Sequence, residues 1–339
     1  MDAEARRGTV VVTGGNSGLG YACAEAISAS GGWHVVLACR DVERGGRAAR
    51  EISHATGSAN VEVMGLDLAS LASVRTFARA LASREDLPPL RAVVCNAGLQ
   101  VVSGTTYTAD GFETTFDVNH LGHFLLVNLL LGEMAAPARV VFVSSGTHDP
   151  KRRTGMPAPR YRGAAALAYP VDHSDPEEKD DGPGAVGRRR YTTSKLCNVM
   201  CAYEMDRRLS EQGLSTAEAP VCVNAFDPGG MPNTGLTREY GPAARFAWDG
   251  GLTLLLPLLR RLGVAMSTAQ DSGRALARLV MDPALTGVSG GYFEIGERAR
   301  SSEESYDLEA AAELWETSAR LVGLERQETP LRTATAAGA

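Results

Sequence analysis

Tyr191 and Lys195 are four residues apart, a spacing that suggests proton-transfer chemistry. A phenol with its ordinary pKa of about 10 is a weak acid at neutral pH, and a nearby ammonium group makes it stronger. The i, i+4 spacing places both side chains on one face of a helix. Ser145, at the end of the apolar run RVVFVSS, could bond a substrate oxygen, and Ser144 is the less favoured of the two serines. These residues predict a site that protonates a developing alkoxide, and an exposed helix-surface pair is the alternative.

A glycine-rich segment follows the first apolar run directly, in TVVVTGGNSGLG. Gly14, Gly18 and Gly20 lie between a predicted strand and a predicted helix. Glycine permits the tight turn and the close approach of the backbone to a pyrophosphate, and the helix N-terminus supplies N–H donors and the positive end of a dipole. The strand–turn–helix context favours a dinucleotide site over a merely tight turn.

The spacing TGxxxGxG resembles the short-chain dehydrogenase/reductase family, and the match covers roughly residues 8–324. The resemblance implies a Rossmann-type fold, a nicotinamide cofactor and oxidoreductase activity. It also implies that Tyr191 donates a proton, that Ser145 polarises the substrate oxygen, and that Lys195 lowers the pKa of Tyr191 and binds the nicotinamide ribose. Asn119, in DVNHLGHF, resembles the family's fourth catalytic residue, which holds a water that links the lysine to solvent.

The same resemblance assigns contacts with the cofactor to the glycine loop and to later turns. Besides Tyr191 and Lys195, the residues concerned are Gly14, Asn16, Ser17, Gly18, Leu19, Gly20, Asp67, Leu68, Asn96, Ala97, Gly98, Pro228 and Gly229. Thr234 falls one residue later than the family's PG-xxx-T pattern expects, so its role stays open.

The end of the second predicted strand indicates which nicotinamide cofactor is bound. An acidic residue here would bind the adenosine ribose 2′-hydroxyl and repel a 2′-phosphate, and a basic residue does the reverse. Arg40 occupies this place and Arg44 follows one turn later, both suited to a phosphate. The neighbouring Asp41 argues in the other direction. We expect NADP(H).

Short β-branched runs alternate with helical stretches along the chain. Strands are predicted at 9–13, 34–38, 61–65, 91–95, 139–143, 221–226 and 291–295, and helices at 18–30, 41–55, 70–83, 109–135, 191–212 and 268–281. This βαβ repetition predicts a single α/β domain, a doubly wound parallel sheet flanked by helices.

We expect this domain to span residues 1–324. Residues 147–190 would form a long insertion before the catalytic helix, either ordered or mobile, and residues 231–267 would cover the substrate. The polar segment 325–339 is predicted to be a flexible tail.

Within the family, the segments ACRDVERG, NHLGHF, SKLCNVM and ELWETSARLVGL resemble protochlorophyllide reductases and, more loosely, retinol dehydrogenases. Protochlorophyllide reductases carry a cysteine directly after the Pro-Gly turn, where this sequence has Gly230. We therefore expect hydride transfer from NADPH to a carbonyl or activated double bond. Light-dependent reduction of the protochlorophyllide type is one alternative. An NADPH-binding redox sensor without turnover is another, although the Tyr191–Lys195 pair argues against it.

Several apolar residues late in the chain suggest that the substrate is bulky and hydrophobic, although they could simply cover the core. They are Met231, Phe246, Trp248 and the run 252–256. The most apolar stretch, 252–259, is interrupted by Pro257 and is shorter than the roughly 20 residues that a membrane helix requires.

Composition narrows the remaining possibilities. The chain has 339 residues, 44% of them hydrophobic, and a net charge of −6, which argues against nucleic acid or an anionic membrane as partner. The six cysteines show no metal-like pairing, and His120 and His123 are expected to pack and form hydrogen bonds, so we expect no metal. The N-terminus lacks a secretory pattern, which favours the cytoplasm. A monomer and a homo-oligomer paired through 109–135 and 191–212 both remain open.

Overall fold

The structure is a computed structural model that describes residues 8–152, 154–171, 181–231 and 267–332. In these residues one eight-stranded sheet has the order β3-β2-β1-β4-β5-β6-β7-β8. All neighbouring strands are parallel except β7 and β8. The strands are β1 (Gly8–Thr13), β2 (Trp33–Cys39), β3 (Val61–Gly65), β4 (Leu90–Cys95), β5 (Met134–Val143), β6 (Val221–Asp227), β7 (Gly291–Glu294) and β8 (Glu297–Ala299).

Helices cover both faces of this sheet. They are α1 (Gly18–Ala29), α2 (Val42–Thr56), α3 (Leu71–Ala82), α4 (Thr114–Phe116), α5 (Gly122–Leu131), α6 (Ala164–Ala168), α7 (Pro183–Glu211), α8 (Ala269–Met281) and α9 (Leu308–Leu321). On one face of the sheet, α1, α2 and α8 pack against the strands and form one hydrophobic core. On the opposite face, α3, α5, α7 and α9 pack against the strands and form a second hydrophobic core. The predicted doubly wound α/β fold is confirmed.

The predicted helix 109–135 is wrong at both ends. A turn with Gly111 at φ +85° occupies its start, and the Glu113 carboxylate caps α4 by accepting a hydrogen bond from the Phe116 N–H. A π-helical turn, Asp117–Leu121, joins α4 to α5. The predicted helix end at 134–135 instead begins β5, which pairs Met134 with Leu90 of β4.

The helix that carries Tyr191 starts earlier than residue 191. It begins at Pro183, where the missing N–H of proline costs no hydrogen bond, and Gly182 is its N-cap. Asp181 pairs with Arg189 at 2.8 Å across the first turns of this helix. The insertion before it is therefore shorter than 147–190, and its described part contains the short helix α6.

The expected flexible tail from residue 325 is corrected as far as Arg332. Leu331 is 1% exposed, and the Thr329 hydroxyl donates to Asn128 Oδ1 on α5 at 3.0 Å. Glu328 pairs with Arg75 on α3. A leucine that buries its side chain outweighs the polar composition around it, so this segment packs onto the helices. Residues 333–339 lie outside the described residues.

Candidate active site

The glycine loop lies at the carboxyl end of β1, where neighbouring strands also end. Gly14 and Gly18 have φ of +65° and +56°, a region that favours glycine. A Cβ added at Gly20 would lie 2.7 Å from the backbone oxygen of Gly14, so only glycine fits there. A Cβ at Gly18 would meet nothing within 4 Å, which leaves that side of the loop open. This glycine cradle fits a pyrophosphate.

A hydrogen-bonded chain links the glycine loop to the Asn119 turn. Thr13 Oγ1 accepts from the backbone N–H groups of Asn96 and Ala97, each at 2.9 Å, and lies 2.8 Å from His123 Nε2. His123 Nδ1 lies 3.2 Å from the Asn119 carbonyl oxygen. A carbonyl only accepts, so Nδ1 carries the hydrogen and Thr13 donates to Nε2. Burial lowers the pKa of His123 to about 4, which agrees with a neutral ring.

Asn119 holds the segment after β4 against α7. Its Oδ1 accepts from the Leu99 N–H at 2.8 Å, and its Nδ2 donates to the Leu99 carbonyl and to Ser194 Oγ, both at 2.9 Å. The π-helical turn carries Asn119, whose backbone carbonyl accepts from His123. Its side chain thus fixes the turn that contains Gly98.

Tyr191 and Lys195 are buried side by side on α7, with 5% and 3% exposure. Lys195 Nζ lies 5.6 Å from the centroid of the Tyr191 ring and donates to the Val143 carbonyl, at the end of β5, at 3.1 Å. Burial lowers the pKa of Lys195 to about 8, and the negative charge of Asp227 opposes this shift. The alternative of an exposed surface pair is therefore wrong.

The two serines after β5 have different surroundings. Ser144 is 2% exposed, and its hydroxyl donates to the Lys195 carbonyl at 2.7 Å. Ser145 is half-buried, and its Oγ accepts from the Thr147 N–H at 3.3 Å. This arrangement agrees with the choice of Ser145, because the Ser144 hydroxyl already has a buried partner.

Sequence reasoning missed His148 and Asp227. His148 Nδ1 donates to the Ser145 carbonyl at 2.7 Å, and its Nε2 accepts from the Ser302 N–H at 3.1 Å. Asp227 is 1% exposed and receives a hydrogen bond from the Gly229 N–H at 2.9 Å. Burial raises the pKa of Asp227, and its hydrogen-bond donors oppose this. In the sequence, the local pattern marked Asp227 only as an acidic residue at the end of an apolar strand.

The residues expected at the adenosine end lie as the sequence suggested, after β2 and β3. Arg40 and Arg44 are exposed, and Asp41 caps α2 by accepting from the Arg44 N–H at 2.9 Å. Capping the helix is a sufficient structural reason for an acidic residue at position 41, so Asp41 needs no role in binding the cofactor. Asp67 Oδ1 accepts from the Ala69 N–H at 3.1 Å, and Leu68 is buried.

In the turn after β6, which is expected to meet the nicotinamide, the Pro228 carbonyl accepts from Ser272 on α8 at 2.6 Å, and Gly229 has φ +73°. Met231 packs against the α1–α2–α8 core. Thr234, Phe246, Trp248 and the runs 252–256 and 252–259 lie outside the described residues.

Neither a membrane span nor a metal centre is found in the part of the chain that the structure describes. No helix there is long and apolar enough to cross a membrane. No group of three potential ligands among its His, Cys, Asp and Glu side chains could hold a metal ion.

Comparison with known proteins identifies the family. A short chain dehydrogenase model matches residues 8–156, and an AcuH dehydrogenase domain model matches residues 243–331. The chain is 36% identical over 332 residues to a chloroplastic protochlorophyllide reductase of Daucus carota, covering 94% of this chain and 79% of the relative. The chain belongs to the short-chain dehydrogenase/reductase family. The predicted NADP(H)-dependent oxidoreductase is confirmed at the level of this family.

Solved structures of short-chain dehydrogenase/reductase fold superimpose over most of the chain. An uncharacterised protein of Mycobacterium paratuberculosis shares 28% identity, covers 93% of both chains and has a TM-score of 0.60. A Beutenbergia cavernae protein described as an NAD(P)-dependent gluconate 5-dehydrogenase, with bound NADP at low occupancy, shares 22% identity with a TM-score of 0.57. It covers 85% of this chain and 94% of its own. This structural similarity shows that the two proteins share a fold.

Proposed function

We propose that this reductase transfers hydride from NADPH to a carbonyl or activated double bond of a bulky hydrophobic substrate, with Tyr191 as the proton donor. The observation that carries the proposal is the buried contact between Tyr191 and Lys195 beside the end of β5. An ammonium group in a water-poor site stabilises a phenolate strongly, so the phenol becomes an effective acid.

Each residue of the site has a defined task in this proposal. NADPH, when bound, supplies the hydride. The Ser145 hydroxyl donates a hydrogen bond to the substrate oxygen, and Tyr191 Oη donates the proton that this oxygen needs as its charge develops. Lys195 holds the positive charge beside the resulting phenolate. Asn119 fixes the Gly98 turn and would hold the water through which a proton returns to the site.

For the cofactor, we propose that the glycine loop from Gly14 to Gly20, including Asn16, Ser17 and Leu19, binds the pyrophosphate. Arg40 and Arg44 would bind the 2′-phosphate, because a guanidinium group matches phosphate geometry and is always charged. The turns 67–68, 96–98 and 228–229 would contact the adenine, the ribose and the carboxamide of the nicotinamide.

A second candidate is light-dependent reduction of protochlorophyllide, because the relatives so named are about 36–37% identical over nearly the whole chain. Against it, Gly230 stands where those enzymes are expected to carry a cysteine. We propose the cytoplasm as the location, although the relatives' names place them in chloroplasts.

The test follows NADPH absorbance with ketones, aldehydes, quinones and protochlorophyllide, each in darkness and in light. We expect dark turnover that prefers NADPH to NADH. Tyr191→Phe should lower kcat at least about 100-fold and raise the Kd for NADPH far less, because the hydroxyl is lost while the ring and the other expected cofactor contacts remain.

Tyr203→Phe is the matched control, since Tyr203 lies on the same helix and its hydroxyl contacts Ser301 at 2.7 Å. It should keep near-normal kcat. Undiminished turnover in Tyr191→Phe would contradict the assigned proton donor. Turnover in light alone would favour the second candidate, and NADPH binding without turnover on any substrate would favour a sensor.

A further inference from the structure

The turn that follows Ser145 is short and has few hydrogen bonds of its own. Gly146–His148 forms a single 3₁₀ turn after β5, and Ser145 is its N-cap. The His148 N–H donates to the Ser145 carbonyl at 3.1 Å, and the Thr147 N–H donates to Ser145 Oγ at 3.3 Å. Because 3₁₀ hydrogen bonds have poor geometry, these two bonds alone hold the serine weakly.

The His148 side chain strengthens this turn. Its Nδ1 donates to the Ser145 carbonyl at 2.7 Å, which is shorter than either backbone bond of the turn. A carbonyl oxygen has two lone pairs, so it accepts from the backbone N–H and from the ring at the same time. The imidazole thus fixes the backbone from which the Ser145 hydroxyl projects.

The other ring nitrogen of His148 is anchored on a distant part of the chain. Nε2 accepts from the Ser302 N–H, which follows β8, at 3.1 Å. A backbone N–H only donates, so Nε2 carries no hydrogen and the hydrogen of the neutral ring is on Nδ1. Burial lowers the pKa of His148, which agrees with a neutral ring. The Ser302 contact therefore selects the tautomer that donates to Ser145.

The packing around His148 leaves its ring one orientation. The side chain is fully buried, and its ring lies 5.1 Å from that of Tyr292 on β7. An ion pair of 2.6 Å between Lys151 and Glu303 joins the same two segments at the surface. The turn after β5 is thus fastened to the segment after β8 at two points, of which the buried one contacts Ser145.

We propose that His148 is a positioning residue for Ser145. From its anchor on Ser302, the ring donates to the Ser145 carbonyl and holds the serine hydroxyl where the substrate oxygen would meet it. The catalytic meaning rests on the function proposed above, which gives Ser145 its task. Through this ring, the segment after β8 takes part in shaping the site.

Two amide substitutions separate the two hydrogen bonds of His148. The asparagine amide nitrogen is as many bonds from the backbone as Nδ1, so His148→Asn keeps a donor for the Ser145 carbonyl. The glutamine amide oxygen is as many bonds away as Nε2, so His148→Gln keeps an acceptor for the Ser302 N–H. His148→Phe keeps a ring against Tyr292 and loses both bonds.

We expect His148→Phe and His148→Gln to lower kcat about tenfold or more, with a smaller change in KM, because a displaced serine acts mainly on the transition state. His148→Asn should retain kcat within about threefold. A purely structural ring would make the two amides equally harmful. If His148→Phe does not fold, these two amides decide the question, and equal kcat values would overturn the proposal.

The Ser145→Ala background shows whether His148 acts through the serine. In that background, His148→Phe should lower kcat by less than about twofold further, because the hydroxyl that it positions is already absent. A loss as large as that in the protein with Ser145 intact would overturn the proposal.

Two NMR measurements on the full chain need no substrate. The ¹⁵N spectrum of the His148 ring should show the hydrogen on Nδ1, and a hydrogen on Nε2 would overturn the proposal. Hydrogen exchange of the Thr147 N–H, which contacts Ser145 Oγ, should become about tenfold faster in His148→Phe and His148→Gln and stay near normal in His148→Asn. Unchanged exchange in all three variants would overturn the positioning role. The expected exchange pattern with unchanged turnover would support that role and count against the catalytic task proposed for Ser145.

Discussion

At the scale of single residues, we propose that Arg40 selects NADP(H) over NAD(H). It is exposed at the end of β2, while its neighbour Asp41 is engaged in capping α2. The carboxylate that argued for NAD(H) in the sequence thus has a local structural task. In this proposal, Arg40 and Arg44 are the cations that would meet the 2′-phosphate, and an acidic neighbour that is engaged in capping a helix does not oppose them.

Arg40→Ala should therefore raise the Kd for NADPH about tenfold or more, the effect of losing one charge-assisted hydrogen bond to phosphate. The Kd for NADH should stay within about twofold, because NADH carries no 2′-phosphate. Quenching of tryptophan fluorescence on titration with each cofactor measures both constants. Arg50→Ala, with the same change in charge farther along α2, should alter neither. Equal weakening of both cofactors by Arg40→Ala would refute the assignment.

Local pattern was sufficient for some site residues and not for others. Tyr191 and Lys195 are close in sequence, and Ser145 ends an apolar strand, so local pattern together with the family resemblance indicated them as candidates. Asp227 and Arg152 meet across 75 residues, and neither belongs to a local motif. Their contact depends on how β5, β6 and the turn after β5 pack, which no short window of sequence contains.

At the scale of elements, the βαβ alternation was sufficient to predict the parallel sheet. The predicted helix ends and the predicted flexible tail were wrong where tertiary contacts override local pattern. The C-terminal helix α9 packs its Trp315 edge-on against Phe124 of α5, with ring centroids 4.8 Å apart. The segment after α9 adds the buried Leu331 to the same hydrophobic core. Because this segment is mostly polar, a single leucine in the sequence did not indicate that the segment would pack against the core.

Leu331→Ala should lower the free energy of unfolding by about 2–5 kcal/mol, the usual cost of truncating a fully buried leucine. Leu308→Ala is the matched control, because Leu308 on α9 is 66% exposed and should change stability by less than about 0.5 kcal/mol. Urea unfolding followed by circular dichroism compares the two. Equal stability of the two variants would mean that the segment contributes nothing to the fold.

At the scale of the whole molecule, α9 packs on the helices through which a homo-oligomer, the alternative to a monomer, would pair. It packs along α7, where Arg208 lies 5.1 Å from the Trp315 ring, and Thr329 and Glu328 extend the cover over α5 and α3. Pairing through the helices in 109–135 and 191–212 would require these contacts to open.

We therefore expect a monomer with the chain mass of 35.8 kDa. Size-exclusion chromatography with light scattering measures this mass across a range of protein concentrations. A mass twice as large that persists on dilution would show that pairing uses another surface or displaces α9.

The packing of residues 308–332 also has a consequence for synthesis. These residues cover a surface of α5 and α7 that carries Phe124 and other apolar side chains. Both of these helices are synthesised long before residues 308–332 leave the ribosome. A nascent chain that has folded its glycine loop and first strands would still expose this surface, and such exposed apolar surface promotes aggregation. Translation that stalls between β8 and α9 should therefore yield insoluble protein that holds nearly every residue of the active site.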